Sequence, residues 1–177
     1  MSQDLPTTEF ARALVFNQKR ELLLFLETNP ARVEHIYGPK GTNYWYLPGG
    51  RVASKTGDQE IILDALHQQA HIDRRHVLLG DEVFVAEDVK KVEGVSALVK
   101  VRYYMVDANI PKIFPEPKQG HVIQRYNWFN FADLKRLKDK LLPVFLQDMP
   151  EVFDESFSGF PRKISAYFDP EVRLLMS

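Results

Sequence analysis

There is no cysteine in the 177 residues, which excludes a disulfide framework and any thiolate metal site and fits a reducing compartment. Neither charge predominates. Lys and Arg total 23 against 24 Asp and Glu, a formal net charge of -1. No overall basic field therefore draws the chain to bulk nucleic acid or to an anionic membrane, and a polyanionic ligand has to be met by local charge. No apolar run approaches the roughly 18 residues needed to cross a bilayer. Met1 to Glu9 is polar and acidic, without the basic start and apolar stretch of a secretory signal, so the expectation is a cytoplasmic protein. Internal repeats and low-complexity segments are also absent. The length suits one domain with a short extension, enough to bury a substantial core.

The apolar runs Ala11 to Phe16 and Leu22 to Leu26 flank Asn17-Gln18-Lys19-Arg20, the pattern of a hairpin with a polar turn. Gly38 to Gly41 reads as a loop, and the aromatic run Tyr44-Trp45-Tyr46-Leu47 as a short strand stopped by Pro48-Gly49-Gly50. From about Asp58 to Ala70 the spacing is helical, with Ile62, Leu66 and Ala70 on one stripe and Asp58 as the expected cap. Strands are predicted at Val77 to Val85, Ala97 to Val106 and Val122 to Phe129 from their β-branched and aromatic content. A second amphipathic helix is predicted over Ala132 to Leu142, ended by Pro143. The remainder, 143–177, carries Phe145, Met149, Phe153, Phe157, Phe160 and Phe168. That is too apolar for a free tail, and it is expected to pack on the domain, 1–142, or on a dimer partner. The element order implies an α+β domain whose helices cover a mixed sheet.

Two motifs carry a family resemblance. Trp45-Tyr46-Leu47-Pro48-Gly49-Gly50 precedes the helix by a short loop, and Asn127-Trp128-Phe129-Asn130-Phe131-Ala132-Asp133-Leu134 comes late in the chain. In this order and spacing they resemble the Nudix hydrolases, whose box reads G-x5-E-x7-R-E-U-x-E-E-x-G-U with U apolar. Gly50 to Ile72 fills that frame without a gap. The resemblance spans roughly Phe10 to Leu142 and implies a Nudix-like α/β/α sandwich with a mixed β-sheet, followed by a helical C-terminal extension. In active family members the box holds a divalent metal, usually magnesium, against a diphosphate, which requires carboxylate oxygens.

Here the three box glutamates are replaced by Ala65, Gln68 and Gln69, the loop glutamate by Thr56, the arginine by Asp64 and the final glycine by His71. Glutamine retains an acceptor oxygen but no charge, so the box positions supply no metal site of the family kind. Other acids, Glu60, Asp64 and Glu116, are catalytic candidates; the bland reading of Glu60 and Asp64 is a solvated acidic stripe. Asp64 lies four residues from both Glu60 and Gln68, spacing that puts the three on one helix face. His67-Gln68-Gln69-Ala70-His71 has the spacing of a zinc-binding helix, with Gln68 where the general base would stand. It reads as an adventitious surface pair.

For phosphate contact without metal the candidates are Arg12, Lys40 and Arg51, the last following the backbone turn at Gly49 and Gly50. Tyr46 is a candidate for stacking on a base, and Gln68 and Gln69 for a polar floor. The leading expectation is a Nudix-fold protein that binds a nucleotide-like or phosphorylated small molecule with little or no metal-dependent hydrolysis and no cofactor. One alternative is a pyrophosphohydrolase of nucleoside diphosphate derivatives that uses magnesium or manganese on noncanonical acids. The other is an interaction protein, possible homodimer included, without a small-molecule ligand.

Overall fold

The computed structural model describes residues 6–28, 43–53, 55–92, 95–109, 125–137, 140–142, 144–154, 157 and 162–165. Strands β1 (Thr7–Phe16), β2 (Leu22–Thr28), β3 (Asn43–Tyr46) and β4 (Gly49–Arg51) precede helix α1 (Asp58–Ala70). A 3-10 turn (Arg74–His76), β5 (Val77–Val92), β6 (Val95–Ala108), β7 (Arg125–Phe129) and helix α2 (Phe131–Lys135) follow. After them come β8 (Lys140–Leu142), 3-10 segments at Val144–Asp148 and Pro150–Phe153, and β9 (Arg162–Ser165). Among the described residues the strands form one mixed sheet of order β8-β3-β2-β1-β6-β5-β9, with β4 added to β1 and β7 to β2. The pairs β1–β6, β3–β8 and β5–β9 are parallel and the others antiparallel.

Strand β1 organises both layers through its period-2 alternation. Phe10, Leu14 and Phe16 join Leu24, Trp45, Phe84, Tyr103 and Phe129 in one core. Ala11, Ala13 and Val15 join Ile62, Leu66, Ala70 and Val106 in the other. The two alanines keep the α1 side of β1 low, so the helix settles Ile62 and Leu66, both fully buried, directly on the strand. Each contributes about 1.5–3 kcal/mol by leaving water. The opposite face is covered by α2 and the 3-10 segments, where Leu134, Leu146 and Val152 are fully buried. The result is the expected α/β/α sandwich. No helix among the described residues is long and apolar enough to cross a membrane.

The hairpin at Asn17 to Arg20 forms as its composition predicts. Asn17 Oδ1 accepts from the backbone N–H groups of Lys19 and Glu21, at 3.0 and 2.9 Å. Arg20 adopts φ +57°, left-handed backbone that disfavours a side chain. Its guanidinium offsets that strain. It donates to the carbonyls of Phe153 and Asp154, reaches Asp107 at 3.3 Å and lies 4.4 Å from the centre of the Phe16 ring. The described 3-10 segments and Phe157 after β8 thus pack on the sheet: Phe153 meets Phe16 edge-on at 5.1 Å, and Phe157 lies 5.9 Å from Phe84. Phe160 and Phe168 lie outside the described residues.

Three expectations are corrected. The late helix is short. Asn130 caps α2 by accepting from Asp133 N–H at 2.8 Å, the helix ends at Lys135, and 140–142 is a strand in register with β3 (Trp45 beside Leu141). Leu137 and Leu141 sit four apart, so a short apolar run fits either element, and here an open sheet edge decides. The β5–β6 hairpin is longer than predicted, continuing in register to Val92 and Val95. In the outer half of β5 the charged residues Glu87, Asp88, Lys90 and Lys91 interrupt the apolar pattern. Finally, Gly57 caps α1 with no side-chain bond, and Asp58 is the first helical residue.

Candidate functional site

The loop between β3 and α1 is fastened to β1 at both ends. Ala13 N–H donates to the Pro48 carbonyl and Val52 N–H to that of Glu9, each at 2.8 Å. Between them Gly49 and Gly50 pair with Arg12 and Ala11. Gly49 has φ +146°, and a Cβ there would stand 2.1 Å from the Ala11 carbonyl oxygen, so only glycine fits. At Gly50 a Cβ would meet nothing nearer than Ile61, at 3.7 Å. Arg12 is only 5 % exposed and donates through Nη1 to the Leu47 carbonyl at 3.3 Å, holding the Leu-Pro-Gly-Gly turn from within the sheet.

Thr56 N–H closes a turn onto the Ala53 carbonyl at 3.0 Å and hands the chain to α1. This loop and the start of β1 enclose a cleft of about 790 Å³, lined by Thr7, Thr8 and Glu9 on one side and Arg51, Val52, Ala53 and Thr56 on the other. Arg51 is exposed and adds a guanidinium to the hydroxyl-lined rim, a combination suited to a phosphate or another oxyanion.

Beside the cleft, beneath the first turn of α1, lies a charged network that the sequence reading did not single out. In the β1–β6 ladder Glu9 pairs with Lys100, Ala11 with Arg102 and Ala13 with Tyr104. Paired residues share a sheet face, so Glu9, Arg102 and Tyr104 join Ala11 and Ala13 on the side of α1. Arg102 grips Asp58 with two parallel bonds, Nε to Oδ2 at 2.5 Å and Nη2 to Oδ1 at 2.7 Å. Its Nη1 holds Glu9 Oε1 at 2.8 Å. The Tyr104 hydroxyl also donates to Asp58 Oδ2.

Burial alone would raise the Asp58 pKa. The hydrogen bonds from Arg102 and Tyr104 and the charges of Arg102 and Lys100 outweigh it, leaving the carboxyl below its ordinary value. Hydrogen bonding to Asp58 raises the Arg102 pKa further above its ordinary value. Burial, reinforced by Asp58, raises that of the Tyr104 phenol. A period-2 polar stripe, Lys100, Arg102 and Tyr104 in an otherwise apolar strand, was the signal available for finding this network.

The remaining candidates are spread over the molecule. Tyr46 is buried at 9 % exposure, its ring 5.8 Å from that of Phe25. Both faces of the sheet are covered, so it is a core residue rather than a stacking platform. Arg12, by its burial, is likewise placed to shape the loop and not to meet a ligand directly. Further along α1, Ala65 is 8 % exposed, Gln68 is exposed, and the Gln69 Oε1 is shielded from solvent with no hydrogen-bond partner among the described residues. Glu60 accepts from Arg74 at 3.0 Å, while Asp64, His67 and His71 are exposed. His71 takes φ +55° at the helix end, the conformation that favours the glycine of the resembling motif. Lys40 and Glu116 lie outside the described residues.

A magnesium ion requires several oxygen ligands in near-octahedral array, with carboxylates among them. On α1 the family positions offer a methyl group and two neutral amides, and two of the helix's acids are already held by arginines. Among the described residues no three His, Asp or Glu side chains are grouped to hold a metal, so this donor set does not fit the ion that the resemblance implies.

No protein-family model matches the chain, and no characterised protein matches it by sequence. Its architecture does match solved structures. The MutT protein of Methanosarcina mazei Go1 is 20 % identical at a TM-score of 0.54, over 86 % of this chain and 96 % of that one. An ADP-ribose pyrophosphatase of Streptococcus suis is 15 % identical at 0.55, over 89 % and 98 %. An Ap4A hydrolase of C. elegans, in a binary complex, is 14 % identical at 0.54, over 82 % and 92 %. With a mixed sheet between helical layers and a Leu-Pro-Gly-Gly loop leading into α1, the chain has the Nudix fold.

Proposed function

We propose that this protein binds a nucleotide-like or otherwise phosphorylated small molecule in the cleft beside the Gly49 to Thr56 loop, with little or no metal-dependent hydrolysis. In effect it is a pseudoenzyme on a hydrolase scaffold. The observation that carries this reading is the state of the acids on α1. Asp58 is neutralised by Arg102 and Glu60 paired with Arg74, and the positions assigned to metal by resemblance are Ala65, Gln68 and Gln69. Proteins of like fold are named for Ap4A and ADP-ribose, which supports a nucleotide-like ligand.

In this reading Arg51 and the Thr56 hydroxyl meet the anion, Gly49 and Gly50 allow close backbone approach, and Arg12 positions the loop. Gln68 and Gln69 form a polar surface further along the helix. Lys40 belongs to the same proposal as a second cation, and the ligand needs no cofactor. The protein is taken as cytoplasmic, with a small molecule rather than bulk nucleic acid as its partner.

A thermal-shift screen against nucleoside mono-, di- and triphosphates and nucleotide sugars, with chelator or with millimolar magnesium or manganese, tests it. Stabilisation that is equal in chelator and metal is expected, since a ligand raises the melting temperature by binding the folded state. Stabilisation seen only with metal, or phosphate release abolished by chelator, overturns the reading.

A further inference from the structure

The start of α1 contains a cation of its own. We propose that the Arg102 guanidinium is the resident counter-cation of this site, neutralising the Glu9 and Asp58 carboxylates at the start of the helix as a bound divalent ion otherwise could. The inference rests on the metal-independent reading of the site.

Geometry carries it. Arg102 projects from the middle of β6 into the angle between β1 and α1, and it joins an acid on each. The fork to Asp58 is bidentate, the bond to Glu9 is 2.8 Å, and the Arg102 and Asp58 side chains are only 15 % and 14 % exposed. One positive charge faces two carboxylates, and the Tyr104 hydroxyl donates to the more buried of them. A guanidinium and a metal ion solve the same electrostatic problem differently. The metal dissociates and can be chelated, whereas the guanidinium is covalently held, always protonated and fixed in direction by its planar fork. Helix and sheet are therefore joined at this point at any metal concentration.

Removing the guanidinium leaves Glu9, Asp58 and the Tyr104 hydroxyl around the space it filled, an oxygen-only set of the kind that hard divalent cations accept. The test is made on the full chain without ligand, comparing wild type with Arg102→Met and Arg102→Lys by melting temperature and by electron paramagnetic resonance of bound manganese. Wild type should melt identically in chelator and in millimolar manganese. Arg102→Met should melt roughly 5–10 °C lower in chelator, recover most of that loss in manganese, and bind the ion. Arg102→Lys keeps the charge without the fork, and should melt between the two and bind none. Adding Asp58→Asn to Arg102→Met should restore stability in chelator and abolish the manganese response.

If Arg102→Met does not fold, the uncharged triple variant Glu9→Gln, Asp58→Asn, Arg102→Met decides. Its folding supports the proposal, and its failure to fold counts against charge compensation. An Arg102→Met protein as stable as wild type in chelator, or one indifferent to manganese, also overturns the proposal while leaving the ligand reading intact. A wild-type ligand response that requires metal would instead sink the functional reading and leave the Arg102 result standing.

Discussion

At its first turn α1 carries a carboxylate that the sheet neutralises, whereas along its last two turns the positions that the family resemblance assigns to metal ligands carry no charge at all. Asp58 is gripped by Arg102 and Tyr104 from β6, with Glu9 of β1 on the same guanidinium. Ala65, Gln68 and Gln69 have neither an acid nor a cation to answer it. The helix thus tolerates a partly buried acid only where a fixed opposite charge meets it, as the cost of desolvating an isolated carboxylate requires. At Ala65, Gln68 and Gln69 no cation is built in and the side chains are neutral.

The largest change should come from adding charge at the uncompensated end. The triple variant Ala65→Glu, Gln68→Glu, Gln69→Glu puts three carboxylates at i, i+3 and i+4, one of them at a position only 8 % exposed. In chelator it should lose about 3–5 kcal/mol, and millimolar magnesium or manganese should recover part of that by binding the folded state. Calorimetry showing no more metal on this variant than on wild type would mean that α1 does not present these positions as the Nudix box does.

Removing charge at the compensated end should do less. Asp58→Asn keeps the shape but leaves Arg102 with Glu9 alone, and denaturant unfolding should show a loss of about 1–3 kcal/mol at neutral pH. Because the Asp58 pKa is depressed on folding, its stabilisation is full above the unfolded value, near 3.9. It fades as pH falls through the lower folded value. The gap between the melting temperatures of wild type and Asp58→Asn should therefore be constant above about pH 5 and narrow as pH falls below the unfolded value, and a gap that stays constant throughout the acid range would show that the bonds to Asp58 do not depend on its charge.

The smallest effect belongs to the exposed acid between the two ends. Glu60 and Arg74 are 53 % and 60 % exposed, so solvent screens the pair, and Glu60→Gln should change stability by less than about 0.5 kcal/mol. A larger loss would mean that burial is not what separates Asp58 from its neighbours.

Much of this was legible in the chain. The limits of α1 follow from the apolar stripe of Ile62, Leu66 and Ala70, and the turn at Gly49 from a Leu-Pro-Gly-Gly signal whose first glycine proves sterically obligatory. The hairpin at Asn17 was equally clear. Misreadings arose where a local pattern is degenerate. Leu137 and Leu141 satisfy a helical spacing, but 140–142 lies against β3 because that strand offers backbone partners. Tyr46 alternates with Trp45 as a half-exposed strand would, yet both are buried because the sheet is covered on each side.

Composition and spacing by themselves determined a mixed α+β architecture and the position of the helix after the glycine turn, and residue identity shows no carboxylate at the positions that the family resemblance assigns to metal. These depend on alternation, turn chemistry and residue identity, which are local properties. Tertiary structure decided what the charges do. Glu9, Asp58 and Arg102 are separated by dozens of residues, and only the parallel register of β1 with β6, with α1 laid across the alanines of β1, brings them within 3 Å of one guanidinium. An ion pair forms through the approach of three elements, and no periodicity within any one of them encodes that meeting.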